Sequence, residues 1–314
     1  MLQQTTVVTV RKRYDTFLRR FPDVSSLARA SEEDILAAWS GLGYYARARN
    51  LRLAAQSIVR NHGGAIPRAP SALKRLPGFG EYMAAAVASL AYGTRLPAVE
   101  ANVERVIARL FALSGVAGSP RLRRLVTSQL EELLPTRRPG DLTAAFMDLG
   151  QTICTPRRPA CAVCPVAAIC EARRRGRPET FPRRRSKPSP SRLPFAVAVA
   201  EWSGRVLLVR RKSTWLDGLW EFPSAEGASA DDARRSLARR IAGLGLQLAP
   251  PRAIATARHA VVNRRLEISV FRARRSGRSR PAGKDARWFL PQELGAAAVP
   301  TLTRKIAAAG MRPG

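Results

Sequence analysis

Residues 67–93 read PRAPSALKRLPGFGEYMAAAVASLAYG. This is a helical segment, a tight turn at Leu76-Pro77-Gly78-Phe79-Gly80, and a second helical segment. Glycines two apart let the backbone come close to an outside group. The second helix opens with free N–H groups pointing outward, an arrangement that accepts a phosphate. The stretch therefore reads as a helix–hairpin–helix that grips a nucleic-acid backbone without reading bases. Taken alone it also fits a plain helix–turn–helix connection. The net charge and the cysteines of the chain favour the first reading.

Outward from the hairpin, residues 6 to 150 read as mostly helical. VRKRYDTFLRRF (10–21) puts Val10, Tyr14, Phe17 and Leu18 on one stripe with arginines opposite. SEEDILAAWSGLG (31–43) reads as a helix capped by Ser31, with acidic residues in its first turn and a stop at Gly41–Gly43. ARARNLRLAAQSIVRN (46–61) is a further helix ended by Gly63 and Gly64, and NVERVIARLFALSG (102–115) continues the pattern.

All four cysteines lie within seventeen residues, as Cys154, Cys161, Cys164 and Cys170, spaced C-x6-C-x2-C-x5-C. A disulfide framework would spread them to close several loops. The two histidines, His62 and His259, are distant in sequence. Four thiolates on one centre suit iron–sulfur or zinc, and spacing alone does not separate the two. Arg157, Arg158, Arg173 and Arg174 surround the loop with positive charge, which points to a structural centre presenting a nucleic-acid-binding surface.

Residues 174–192, rich in Pro and Arg, read as an exposed basic linker. Periodicity then changes. PFAVAVAEWSGRVLLVRR (194–211) holds two β-rich runs about a Ser203-Gly204 turn, and DDARRSLARRIAGLGL (231–246) reads as a helix. ATARHAV, RRLEISVFRAR and DARWFL read as strands, and PQEL and TLTRKIAAAG as closing helical pieces. The division is thus 1–173 helical with its cysteine loop, 174–192 linker, and 193–314 α+β. A length of 314 residues suits two domains. With 54 Lys and Arg against 23 Asp and Glu, the formal net charge is +31, which points to a polyanionic partner. No apolar run is long enough to span a bilayer and the start lacks a secretion-signal pattern. A cytoplasmic monomer with no membrane partner is the expectation.

Five segments together, MLQQT (1–5), GLGYYARARNL (41–51), LPGFGEY (76–82), NVERV (102–106) and MDLGQTIC (147–154), resemble the adenine DNA glycosylases of base excision repair. The resemblance implies a multidomain fold: an all-α helix–hairpin–helix glycosylase domain with a [4Fe-4S] loop at 154–170, then an α+β Nudix-like domain. It implies hydrolysis of the glycosidic bond of adenine mispaired with 8-oxoguanine or guanine in double-stranded DNA. Gln4 and Tyr44 resemble the residues that wedge into the duplex, with Leu2 and Thr5 as neighbours contacting the lesion pair. Gly78 and Gly80 match the phosphate-holding hairpin. Tyr82 stands where bifunctional relatives carry a nucleophilic lysine, which argues against a lyase.

The chemistry asks for an acid on adenine and a fixed carboxylate near the cationic sugar. Glu100 resembles the second, where the family more usually has Asp before Gly-Asn, and Asn102 orders the turn beside it. The resemblance puts the general-acid Glu two positions ahead of Met1. The expectation is that the 314-residue chain binds DNA weakly and releases adenine at a negligible rate. A non-catalytic DNA-binding paralogue that recognises damage is the alternative reading.

Within 193–314, RVLLVRRKSTWLDGLWEFP (205–223) resembles the Nudix-like domain that senses 8-oxoguanine. The helix where working hydrolases of this fold carry Mg²⁺-binding glutamates reads SLARRIAGLGL, without an acid, so a binding module is expected. The lesion-sensing loop, commonly His-x-Phe-Ser-His, runs His259-Ala260-Val261-Val262-Asn263, with His259 retained and Asn263 at the last position. Trp215 and Trp220 are candidates for a domain interface or for ordinary core.

Overall fold

The computed structural model describes residues 1–186, 189–212, 217–261, 263–276 and 285–310. Trp215 and Val262 lie outside the described residues. The chain forms two compact units, Met1–Gln56 with Pro188–Gly314, and Ser57–Lys187. This differs from a cut at residue 173, and the reason lies in the core of the first unit.

The first unit opens with helices α1 (Val7–Arg20), α2 (Val24–Arg29) and α3 (Glu32–Ala38), followed by the start of α4 (Ala46–His62). Ser31 caps α3, accepting the Asp34 N–H at 3.1 Å. On α1 only Val10 and Phe17 are buried, while Tyr14 and Leu18 are 49% and 43% exposed. At 100° per residue both lie to one side of the Val10–Phe17 line, so the buried stripe is narrower than the spacing suggests.

The later part of this unit is a sheet with the path β3-β2-β1-β7-β5, with β4 on β1, β6 on β7 and β8 on β2. The strands are β1 (Ser191–Trp202), β2 (Arg205–Arg210), β3 (Trp220–Glu221), β4 (Ser224–Glu226), β5 (Leu246–Leu248), β6 (Ala255–Val261), β7 (Arg264–Arg275) and β8 (Ala286–Phe289). Strands β1 and β7 run parallel from Ser191↔Arg264 to Ala200↔Ala273.

Both faces of β1 are covered, which is why it is apolar without alternation. Ala196, Ala198 and Ala200 pack with Leu237 and Ile241 of α11 (Ala230–Ala242). Phe195, Val197 and Val199 share a core with Val10, Phe17, Ile35, Leu36, Trp39 and Tyr45. Residues 1–56 thus bury the second face of the sheet, and that shared core accounts for the observed division. Trp220 belongs to this core; it is 4% exposed, packs on Phe289 at 5.4 Å and donates to Glu33 Oε1 at 3.1 Å. Helix α11 begins six residues before the SLARRIAGLGL stretch, and its Asp231 and Asp232 fill the first turn, where Asp232 accepts the Ala228 N–H. The unit ends with α12 (Thr301–Gly310).

The second unit holds α5 (Pro70–Lys74), α6 (Glu81–Tyr92), α7 (Ala101–Leu110), α8 (Pro120–Leu133), α9 (Pro139–Thr152) and α10 (Glu171–Arg174). Val103, Val106, Ile107, Leu122, Val126, Leu130, Phe146 and Leu149 form its main core. The first part of the expected linker is folded here. Phe181 is buried with Ala112 and Ala172, and Arg183 forms a parallel bridge with Val116. One aromatic in an otherwise polar stretch is enough to anchor it, and residues 184–186 are exposed. Among the described residues no helix is long and apolar enough to cross a membrane.

Candidate nucleic-acid interface and metal centre

In the hairpin, Gly78 has φ 79°, a left-handed conformation that favours glycine. Gly80 is the N-cap of α6 in an extended conformation and supplies no side-chain cap. A Cβ on Gly80 would meet nothing within 4 Å. The space above it is open, as a site for an external group requires.

In the first turn of α6, Tyr82 packs among Ala85, Ala86, Ala98 and Met147. Burial, and then the charge of Glu100, pushes its hydroxyl above the ordinary tyrosine value. Glu100 is the N-cap of α7, and its Oε1 accepts the Val103 N–H at 3.1 Å. The sequence therefore assembles, from two helix starts, a phenol that stays protonated and a carboxylate held in one orientation.

Asn102 does not turn to Glu100 in the hydrogen-bond network; its Oδ1 accepts from Arg105 Nη2 at 2.7 Å. The same nitrogen donates to the Gly150 carbonyl at 2.6 Å, and Arg105 Nε donates to the Cys154 carbonyl at 2.7 Å. Arg105 thus ties the start of α7 to the cysteine loop.

The four cysteines line one pocket with Val106, Leu110, Leu149 and Ile153. Cys161 and Cys164 flank a single 3₁₀ turn, and Cys170 is the N-cap of α10. Burial and the other three cysteines together push the Cys161 thiol up, so all four sulfurs share one field. Yet among the described residues no three Cys, His, Asp or Glu converge tightly enough for a single metal ion. Four sulfurs around one apolar pocket suit an iron–sulfur centre. Arg109, 2% exposed, donates from Nη1 to Cys154 Sγ at 3.2 Å and to the Thr155 carbonyl at 2.8 Å. Its charge would counter the negative charge of thiolates holding a metal centre.

In the other unit, MLQQT forms a turn ahead of α1, with the Thr5 N–H on the Leu2 carbonyl. Gln4 and Tyr44 both have positive φ, 55° and 48°. Non-glycine residues in this region cost energy and collect at functional sites. Tyr44 is 51% exposed and Leu2 57%. Arg47 holds the two segments together. It donates to the carbonyls of Met1 and Gln3, to Thr5 Oγ1 at 2.7 Å, and to the carbonyls of Leu42 and Gly43 at 3.1 Å. Its guanidinium also lies over the rings of Trp39 and Tyr44. Thr5 Oγ1 itself donates to the Leu42 carbonyl.

His259 lies on β6 opposite Leu266, and Asn263 in the turn before β7, where its carbonyl accepts the Ser191 N–H. Burial, then the charge of Lys305, holds the His259 imidazole below its ordinary value.

Sequence reasoning missed Arg47, Arg105 and Arg109. Arg109 carried a signal: it falls on the apolar stripe of VIARLF, where a charge needs a partner.

Comparisons agree with this arrangement. Residues 1–135 match the HhH-GPD superfamily of base excision DNA repair proteins, residues 154–170 the iron–sulfur binding domain of endonuclease III, and residues 196–309 the NUDIX domain. The chain is similar to the adenine DNA glycosylase of Homo sapiens (33% identity, 98% of this chain, 66% of that one) and of Rattus norvegicus (32%, 98% and 69%). It is 42% identical to that of Mycobacterium tuberculosis over 53% of this chain and 55% of that one. The chain spans roughly half to two thirds of the length of these relatives.

Proposed function

The chain belongs to the adenine DNA glycosylases, and from that premise we propose that it carries the DNA-binding surface and the sugar-side carboxylate for hydrolysing the N-glycosidic bond of adenine opposite 8-oxoguanine or guanine. Among the described residues none at this site takes the general-acid role, so release of adenine by these residues alone is slow. The observation that carries this reading is the pairing of Glu100 and Tyr82 at two helix starts beside the uncapped hairpin.

A nucleotide flipped out of the stack presents its sugar to such a site. The Gly78–Gly80 hairpin receives the adjacent phosphate on the free N–H groups of α6. As the glycosidic bond breaks, the sugar becomes cationic, and the fixed Glu100 carboxylate stabilises it without reorganising. Tyr82 keeps its proton and can donate a hydrogen bond. It offers no amine for a Schiff base, so the reaction stops at base removal. Gln4 and Tyr44, in their strained conformations, fill the gap in the duplex, flanked by Leu2 and Thr5. His259 and Asn263 meet the opposite base. Cys154, Cys161, Cys164 and Cys170 would hold a [4Fe-4S] cluster, which supplies a rigid anchor for the loop. Through Arg105 that anchor keeps Asn102, and with it the start of α7, in place. The protein acts as a monomer in the cytoplasm, where its DNA partner lies.

The test uses duplexes carrying a cationic pyrrolidine or a neutral tetrahydrofuran in place of the target sugar, opposite 8-oxoguanine. The wild type binds the cationic duplex at least about tenfold more tightly, which is about 1.4 kcal/mol. Glu100→Gln removes that preference and keeps the neutral affinity. Equal affinity of the wild type for both duplexes, or equal losses on both in Glu100→Gln, would leave Glu100 as a helix cap only and favour the non-catalytic DNA-binding reading.

A further inference from the structure

The loop that carries Tyr44 is tied at both ends to Val299, two residues ahead of the last helix, and at its Ser40 end to Arg304 of that helix. Ser40, 1% exposed, donates to the Val299 carbonyl at 3.0 Å and accepts from Arg304 Nη2 at 2.8 Å. Tyr45, on the other side of Tyr44, donates to that same Val299 carbonyl at 3.5 Å. Arg304 Nη2 also donates to the Gly295 carbonyl at 3.1 Å. Between these ties, Gly41, Gly43 and Tyr44 have φ of 94°, 69° and 48°. Such a conformation persists only where its surroundings over-determine it. Arg47 and Trp39 hold the middle of the loop through the Leu42 and Gly43 carbonyls, and residues 299–304 hold Ser40 and Tyr45 on either side.

The β6–β7 hairpin and this helix rest on the same buried core. Lys305, next to Arg304, lies within charge range of His259. Val261 of the hairpin and Leu302 of α12 pack on one buried cluster with Trp39, Leu42, Tyr45, Ala298, Val299 and Ile306. Packed cores transmit small displacements because they have little free volume.

We propose that α12 couples the β6–β7 hairpin to the Tyr44 loop, with Arg304 as the positioning residue that acts on the loop through Ser40. The proposal rests on the glycosylase reading, which sets the hairpin on the base opposite the target and Tyr44 in the gap the target leaves. Seating of the opposite base at the hairpin shifts α12. Arg304 and the Val299 carbonyl carry that shift to both ends of the loop, so Tyr44 enters the duplex where a lesion is present. Arg304 touches no reacting atom.

The experiment is a double-mutant cycle on the full chain with a duplex holding 2-aminopurine beside the target adenine, opposite 8-oxoguanine or thymine. Affinity and 2-aminopurine unstacking are both read. Arg304→Met lowers affinity for the 8-oxoguanine duplex about tenfold and removes the unstacking signal, with the thymine duplex within about twofold. Arg304→Lys recovers part of both. Tyr44→Ala combined with Arg304→Met is no weaker than Tyr44→Ala alone, since both remove one shared interaction. Additive effects, or an Arg304→Met protein indistinguishable from wild type, overturn the coupling. Should Arg304→Met fail to fold, Ser40→Ala must shift lesion binding in the same direction, and an unchanged Ser40→Ala overturns it. A wild type with no preference for the 8-oxoguanine duplex sinks the glycosylase reading, whereas a preference that survives with additive effects sinks the coupling alone.

Discussion

A Cβ on Gly150 would lie 2.6 Å from the Cβ of Asn102. Helices α9 and α7 therefore meet with no room for a side chain at position 150, and the approach lets Arg105 reach the Gly150 carbonyl and Asn102 Oδ1 together. Gly150→Ala must push the start of α7 away. Overpacking of this kind costs about 1–3 kcal/mol. We expect a lower urea midpoint and a reduced preference for the cationic sugar mimic. An alanine variant as stable as the wild type contradicts the contact.

Arg47 serves the Met1–Thr5 turn and the Leu42–Gly43 carbonyls at once. Arg47→Lys keeps the charge but loses the planar fork that reaches several acceptors. A loss of about 1–3 kcal/mol is expected, the scale of buried groups left without a donor. Lesion-duplex affinity falls with it, because both Gln4 and Tyr44 lose their support. Thermal melts and fluorescence anisotropy check both, and wild-type values in the lysine variant would contradict the role.

Gly80 separates binding from folding. Its φ of −83° suits any residue, and the space around it is open. Gly80→Val should melt within a few degrees of the wild type while losing at least about tenfold in duplex affinity. Binding by the wild type should weaken steeply between about 50 and 200 mM salt, as counterions are released. A valine variant that binds normally places the phosphate elsewhere.

The cysteine pocket predicts about four irons per chain after anaerobic purification, with broad visible absorbance. Cys161→Ser should lower iron occupancy and destabilise the second unit. Stoichiometric zinc without iron contradicts the cluster.

The local features were legible in the sequence because each depends on neighbours a few residues apart. The hairpin follows from glycines and prolines at fixed offsets, and the metal loop from four cysteines within seventeen residues. The Ser31 cap and the Ser203-Gly204 turn between β1 and β2 are set the same way. Glu100 was legible as the charge ahead of Asn102, though its hydrogen bond to the Val103 N–H is a matter of conformation.

Only the tertiary structure decided what those pieces rest on. The apolar run of β1 requires a cover on both faces but does not say which segment supplies it. Residues 10–45 do so on one face, although the strand they cover begins only at Ser191. Arg47, Arg105 and Arg109 look in sequence like three of 54 basic residues. Burial singles them out, because a guanidinium removed from water must find acceptors, and these are carbonyls, a hydroxyl and a thiol brought close by folding. Phe181 likewise reads as part of a basic linker until Ala112 and Ala172 give it a place to bury. Short-range spacing is written in the chain, whereas the partner of a buried face or a buried charge is settled by which distant segments pack together.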